Sequence, residues 1–198
     1  MYNRCVVSDS ERTPCVLRAA HLDDVPQLEE VIARSARELG GEHYTAEEIE
    51  GALRGTFGVD TQLIRDNTYF VAEHVGAIVG CGGWSFRSTF VGGDKLGTRT
   101  AERLDPETQP ARIRAFFVDP THSRTGIGRM LLTRCELEAL KAGFSSLELM
   151  ASLSSAHLYA AAGYVAELPR EFDIGSGLTI KLVPMDKHLA AKPLPGES

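Results

Sequence analysis

The chain has 198 residues, of which 43% are hydrophobic and 24% charged, and its formal net charge is −6 at pH 7. This composition is typical of one globular domain with a full apolar core. The negative charge argues against nonspecific nucleic-acid binding, and no apolar stretch is long enough to span a bilayer, so we expect neither partner. The four cysteines lack a Cys-x-x-Cys pair, which indicates reduced thiols in a cytoplasmic protein and no metal site.

The predicted elements begin after a polar segment, residues 1–14, that we expect to be flexible. A strand at 16–18 precedes a helix, which apolar residues at helical spacing predict up to Gly40. Thr45 and Glu48 have the spacing of a capping box, so a second helix is predicted to begin there.

Two β-rich segments, 68–74 and 77–85, predict a hairpin that turns between them. Residues 86–110 follow, rich in Gly, Thr, Arg and Asp without a clear period, and we interpret them as an inserted loop. Trp84 stands beside this insertion, and it is either a core residue or part of the wall of a binding pocket.

The second half of the chain alternates strands and helices. Strands are predicted at 113–118, 146–151 and 178–183, and helices at 126–142 and 155–162. We therefore expect a single α/β domain over residues 15–187 and a flexible tail over 188–198.

The turn before the helix at 126–142 carries a Gly-Ile-Gly sequence at 126–128, followed by Arg129. A glycine turn between a strand and a helix gathers free backbone N–H groups at a positive helix end, where a phosphate group binds. The P-loop pattern fails because no Lys-Ser/Thr pair follows. The Rossmann pattern fails because Leu131 occupies the position of its third glycine.

Two segments carry a resemblance to a known family. Residues 118–128 contain Val-Asp-Pro followed by Ser-Arg-Thr-Gly-Ile-Gly, and residues 156–164 read Ala-His-Leu-Tyr-Ala-Ala-Ala-Gly-Tyr. In the same order, they resemble two elements of the GCN5-related N-acetyltransferases (the GNAT superfamily): the acetyl-CoA-binding signature and the Ala-x-x-Phe/Leu-Tyr element that follows it. The chain departs from the signature at Ser123, where the family has Arg or Gln, and we expect Arg124 to supply that charge.

The resemblance implies the GNAT fold, an α/β arrangement with a central twisted mixed sheet and helices on both faces. It also implies an N-acetyltransferase that moves an acetyl group from acetyl-CoA to a primary amine of a small molecule or protein by direct attack. The acceptor is unknown, and a homodimer with the strand at 178–183 in the contact fits the family. One alternative is a catalytically silent CoA-binding sensor or interaction protein. Another is a nucleotide-binding module that takes ATP or NAD.

By resemblance, the strand before the glycine turn splays from its neighbour and offers its backbone to the pantetheine arm of CoA. A backbone N–H group of this strand is then a candidate oxyanion donor. The expected cofactor-binding residues are Phe116, Phe117, Val118, Ser123, Arg124, Thr125, Gly126, Ile127, Gly128, Arg129 and Ser154.

Tyr159 resembles the general acid of the family. A phenol with a pKa of about 10 can protonate a leaving thiolate whose thiol has a pKa of about 8.5. The alternative is a tyrosine that only packs.

The candidate general base is Glu148, because strand alternation points its side chain away from the face of Leu147 and Leu149. The alternative is that Glu148 pairs with Arg112 or Arg114. Other candidates for the base are Glu42, His43 and Glu73.

Overall fold

The structure, a computed structural model, describes residues 14–89, 93–94 and 102–189. Its helices are α1 (Val25–Gly40), α2 (Ala46–Leu53), α3 (Thr61–Arg65), α4 (Ile127–Lys141) and α5 (Ala156–Ala160). Its strands are β1 (Val16–Ala19), β2 (Tyr69–His74), β3 (Ala77–Ser85), β4 (Ala111–Val118), β5 (Ser146–Ser152), β6 (Val165–Ala166), β7 (Arg170–Gly175) and β8 (Leu178–His188). The predicted flexible termini lie almost wholly outside the described residues, as do 90–92 and 95–101 of the predicted insertion.

The strands form one mixed sheet in the order β1-β2-β3-β4-β5-β8-β6, with β7 also paired to β8. All of these pairs are antiparallel except β4 with β5. The chain reverses through hairpins on one side and crosses over through α4 to reach β5. The predicted mixed sheet is confirmed.

Helices cover both faces of this sheet. On one face, Leu131 and Leu132 of α4 pack into a cluster that also holds Trp84. On the other face, Leu28 and Ile32 of α1 belong to a second cluster, to which α3 also contributes. Burial of each such side chain contributes about 1.5–3 kcal/mol, so both layers hold the sheet in place. Trp84 is therefore a core residue, as one of the two interpretations proposed.

Two local signals in the first half specify the expected structure. The Glu48 amide donates to Thr45 Oγ1 at 3.2 Å, and the Thr45 amide donates to the Glu48 carboxylate at 2.7 Å, which completes the capping box of α2. The hairpin turns at Val75 and Gly76, whose φ angles of 50° and 76° are those of a tight turn between strands. Both predictions are confirmed.

Three elements were not predicted from the sequence: α3, β6 and β7. Each is short, and α3 depends on the Asp60 carboxylate, which accepts from the Gln62 amide at 3.0 Å and caps the helix. The last strand is also longer than predicted, because β8 continues to His188. It pairs with β5 over 182–188, with β7 over 178–182 and with β6 at 185 and 186, and the homodimer contact through 178–183 stays a prediction.

Part of the predicted insertion is tied to the domain. Arg87 forms an isolated bridge with Arg103, and its guanidinium donates to the Asp66 carboxylate at 2.6 and 2.7 Å. The Asp94 carboxylate accepts from the Thr61 amide at 3.0 Å, at the start of α3. Arg87 and Asp94 of the insertion therefore contact the two ends of α3.

Candidate functional site

Strand β4 bulges at Ala115, whose φ of 55° lies in the left-handed region. Cys81 pairs with Phe117 and Gly83 with Arg114, so that two residues of β4 oppose one residue of β3. The hydroxyl of Tyr69, which lies on β2 beyond the paired strand β3, donates to the Ala115 carbonyl at the bulge at 3.0 Å. A bulge bends its strand and re-aims the side chains that follow.

Beyond the start of β4, the parallel neighbour β5 diverges from it. The two strands pair only at Ala111 with Leu147 and at Arg112 with Glu148. The edge of β4 over residues 113–118 therefore has no ladder hydrogen bonds to β5. The backbone of 116–118 on this edge lines the space between the strands, where a ligand would supply the partners that buried backbone groups require.

A cleft of about 940 Å³ opens at this divergence. The end of α1 and the loops at 42–44 and 56–58, before and after α2, line it on one side, and the starts of α4 and α5 line it on the other. All predicted cofactor-binding residues line the cleft except Thr125, whose hydroxyl donates to the His122 carbonyl at 2.6 Å. Tyr159 lines it as well, whereas Glu148 does not.

The two glycines of the turn serve different purposes. Gly126 is the N-cap of α4 with a φ of 93°, and a Cβ there would meet no atom within 4 Å. A Cβ on Gly128 would lie 3.0 Å from Leu158 Cδ2, so the second glycine permits close packing of α4 against α5. Gly126 therefore leaves open space where the N–H groups of the first turn of α4 collect.

The two arginines of the turn reach across to α5. Arg124 Nη1 lies 2.6 Å from His157 Nε2, and Arg129 Nη1 donates to the Ala161 carbonyl at 2.8 Å. A guanidinium has no acceptor, so the His157 nitrogen accepts in this contact. Both guanidinium groups therefore lie at the lip of the cleft beside the turn. One of them belongs to Arg124, which is one position after Ser123.

Asp119 fixes the loop between β4 and α4, and sequence reasoning gave it no role. Its buried carboxylate accepts from the Thr121 amide at 3.0 Å and lies 2.7 Å from Arg34 Nη2 of α1. Burial alone would raise the pKa of Asp119, but the hydrogen bonds from Thr121 and the charges of Arg34 and His122 outweigh it, so the pKa is lowered. The Asp-Pro-Thr sequence is a turn signal that could have indicated this cap.

We expect Asp119→Asn to lower the free energy of unfolding by about 1–2 kcal/mol at pH 7, because it removes a charge-assisted contact. The lowered pKa means that this stabilisation is present above the unfolded value near 4 and is lost as the pH falls through the folded value. Urea unfolding at pH 7 and pH 3.5 should show the difference from the wild type shrinking at the lower pH. An undiminished difference at pH 3.5 would contradict this account.

Tyr159 is buried in the cleft wall with 5% of its surface exposed. Its ring lies edge-on between those of Phe116 and Tyr164, with centroid separations of 6.1 and 5.8 Å. Burial raises the pKa of Tyr159 above its ordinary value, so the hydroxyl is protonated at pH 7. A protonated phenol that faces the cleft can donate a proton to a group bound there.

The predicted general base lies elsewhere. Glu148 forms an ion pair with Arg112, which is its register partner in the pairing of β4 with β5. It is not among the residues that line the cleft. Glu73 pairs with Arg18 at 2.9 Å and also lies outside the cleft. The structure therefore agrees with the alternative interpretation, in which Glu148 pairs with an arginine.

The end of the cleft near α1 and α2 combines apolar and acidic side chains. Phe57 packs edge-on against Phe117 at 5.8 Å. Tyr44 is buried, and its hydroxyl donates to the Lys181 carbonyl at 2.7 Å, which fixes this wall to β8. The exposed side chains at the rim are Glu38, Glu42 and His43.

Other chemistries have little support in the described part of the chain. It holds no group of three or more His, Cys, Asp or Glu side chains that could bind a metal ion. None of its helices has the length and apolarity needed to cross a membrane. Cys15, Cys81 and Cys135 are free thiols outside the cleft lining, and burial raises the pKa of Cys81 to about 12. A covalent relay through these three thiols therefore has no structural basis.

A strand that diverges from its parallel neighbour beside a glycine turn is the arrangement that the resemblance to the GNAT superfamily predicted. Residues 65–166 match the family described as the acetyltransferase (GNAT) domain. The chain belongs to this family, and the predictions of family and fold are confirmed. No protein with a curated description matches the sequence.

Solved structures of low sequence identity share the fold. A GCN5-related N-acetyltransferase from Rhodopseudomonas palustris is 19% identical, with a TM-score of 0.65, over 94% of this chain and 100% of that one. PaiA N-acetyltransferase from Thermoplasma acidophilum, solved with coenzyme A, is 16% identical, with a TM-score of 0.59, over 88% and 98%. The putative acetyltransferase YncA from Salmonella typhimurium, solved with acetyl-CoA, is 16% identical, with a TM-score of 0.59, over 94% and 100%.

Proposed function

We propose that this protein is an acetyl-CoA-dependent N-acetyltransferase that transfers the acetyl group to a primary amine by direct attack. The observation that carries the proposal is the cleft between β4 and β5, with a glycine turn at one end and Tyr159 in its wall. Family membership supports acetyltransferase activity in general. The cleft supports the finer assignment, because it provides both an anion site and a proton donor.

The residues present fit acetyl-CoA, which supplies a thioester-activated acetyl group. The unpaired edge of β4 over 116–118 would bind the amide groups of the pantetheine arm. The N–H groups that follow Gly126 would hold the pyrophosphate, because Gly126 leaves the first turn of α4 open. Arg124 and Arg129 would add charge-assisted contacts at the lip.

The two ends of the cleft carry side chains of opposite charge. The positive charges of Arg124 and Arg129 lie at the α4 and α5 end, where an anionic cofactor is expected, beside the imidazoles of His122 and His157. The acidic Glu38 and Glu42 lie at the α1 and α2 end. This polarity favours phosphate groups at the first end and the approach of an ammonium group at the second.

Tyr159 is the proposed general acid for the leaving thiolate, and a β4 amide within 116–118 is the proposed oxyanion donor. For removal of the proton from the ammonium, Glu42 and His43 are better placed than Glu148, because they line the cleft. Direct attack is favoured because the described thiols lie outside the cleft lining.

The alternative, a CoA-binding protein without catalysis, receives support from Ser123, which stands where the family signature has Arg or Gln. Two measurements separate the functions. Calorimetry with acetyl-CoA, CoA, ATP and NAD tests binding, and thiol release with a panel of primary amines tests transfer. We expect selective acetyl-CoA binding together with amine-dependent thiol release. Binding without turnover of any amine would favour the alternative, and no binding of any CoA species would overturn both.

A further inference from the structure

Gly82 occupies the position on β3 that faces the bulge of β4. A Cβ built on Gly82 would lie 2.7 Å from Cε2 and Cζ of the Phe116 ring. Carbon atoms pack at about 3.5–4.0 Å, so no other residue fits here without a shift of that ring. The ring of Phe116 thus lies directly over the backbone of Gly82, in space that any side chain would fill.

The same ring contacts the proposed general acid. Phe116 meets Tyr159 at a centroid separation of 6.1 Å and an interplanar angle of 68°. Tyr164 contacts the other side of Tyr159 at 5.8 Å and 71°. The structure shows no hydrogen bond from the Tyr159 hydroxyl to any described residue, so ring packing is what holds the phenol in place.

We propose that Gly82 is a positioning residue for Tyr159: by admitting the Phe116 ring over its backbone, it sets where the phenol lies in the cleft. The inference rests on the proposed function, in which Tyr159 protonates the leaving thiolate. Gly82 does not line the cleft, whereas Phe116 and Tyr159 do. Its effect passes through Phe116 to Tyr159, because the rings are close-packed and transmit strain.

Gly80 provides a matched control two residues earlier on β3. A Cβ on Gly80 would lie 2.8 Å from Ile127 Cγ2 of α4, an overlap almost equal to that at Gly82. Alanine at Gly80 therefore strains the same strand without pressing on the Phe116 and Tyr159 rings. Because Ile127 lines the cleft at the glycine turn, Gly80→Ala perturbs the cofactor end, and what reports on the ring stack is whether the effect of each alanine depends on the Tyr159 hydroxyl.

The test combines each alanine variant with Tyr159→Phe. A misplacement of about 1 Å in a reacting group costs about 10²-fold in rate. We expect Gly82→Ala to lower kcat about 10- to 100-fold, while calorimetry shows the Kd of CoA changed less than about 3-fold. In the Tyr159→Phe background, Gly82→Ala should cause no further fall in kcat. Gly80→Ala should change kcat by the same factor in both backgrounds.

A second variant keeps the test independent of stability. Phe116→Leu removes the ring atoms that the new Cβ would overlap, so Gly82→Ala should have little effect on kcat when Phe116 is already Leu. Circular dichroism and thermal unfolding verify the fold of each protein. An equal fall of kcat from Gly82→Ala with and without the Tyr159 hydroxyl would overturn the inference. Failure of the proposed function is recognised separately, because the wild-type protein would then turn over no amine.

Discussion

Gly126→Asp is expected to weaken acetyl-CoA binding about 100-fold or more, whereas Gly126→Asn should weaken it much less. Gly126 has a φ of 93°, and Asn and Asp are the residues that best tolerate the left-handed region after glycine. The two variants are nearly the same size, so their difference isolates one negative charge. At about 4 Å and an effective dielectric constant of 20, two like charges repel by about 4 kcal/mol. Tenfold in affinity corresponds to about 1.4 kcal/mol.

The fold of the Gly126→Asp variant should remain intact, and this makes the experiment decisive. A carboxylate at the N-terminus of α4 interacts favourably with the helix dipole, so thermal unfolding should show Asp at least as stable as Asn. The same charge opposes a bound phosphate. Calorimetry with CoA at low and high salt measures the affinities, and salt should narrow the gap between the variants. Equal CoA affinities of the two variants would show that no phosphate group binds at this turn.

The elements predicted well from the sequence are those whose signals are local. The capping box of Thr45 and Glu48 lies within one turn of α2, and the hairpin turn at Val75 and Gly76 joins neighbouring strands. Such elements are specified by adjacent residues, so a single sequence suffices to find them. The helix α4 was predicted equally well, because it combines a glycine turn with a long apolar pattern.

The bulge of β4 has no such local signal. Ala115 is an ordinary strand residue by its type, yet it has a positive φ, and its carbonyl accepts from the Tyr69 hydroxyl of β2, far away in sequence. The role of Gly82 depends on the same distant pairing, since only the register of β3 with β4 places it opposite Phe116. Contacts that join residues far apart in sequence are not predictable from spacing.

The candidate site was predicted unevenly for the same reason. The cofactor end follows a motif in continuous sequence, and the structure brings nearly all of its residues to one cleft. Glu148 was chosen from strand alternation, which gives the face of a side chain but not its neighbour. The parallel register with β4 supplies that neighbour, Arg112, and holds the carboxylate away from the cleft. The site assignments themselves stay predictions until variants are measured.

Tyr159→Phe is expected to lower kcat roughly 100- to 10,000-fold, the contribution typical of a general acid. The substitution keeps the ring that packs between Phe116 and Tyr164 and removes only the hydroxyl. That hydroxyl makes no hydrogen bond to the described residues, so the free energy of unfolding should change by less than about 1 kcal/mol. Thiol release measures kcat, and calorimetry should show CoA affinity within a few-fold of the wild type.

The kcat of the Phe variant, measured across pH, distinguishes an acid from a tyrosine that only packs. Burial raises the pKa of Tyr159, so the proton-donating form persists through the range in which an ordinary phenol, with a pKa of about 10, begins to ionise. The kcat of the wild type should therefore show no alkaline fall between pH 7 and about 10. The Phe variant should lie below it by a constant factor over that range, because it lacks the donor at every pH. Retention of wild-type kcat would instead assign Tyr159 to packing alone, and the thiolate would then leave without a proton from this residue.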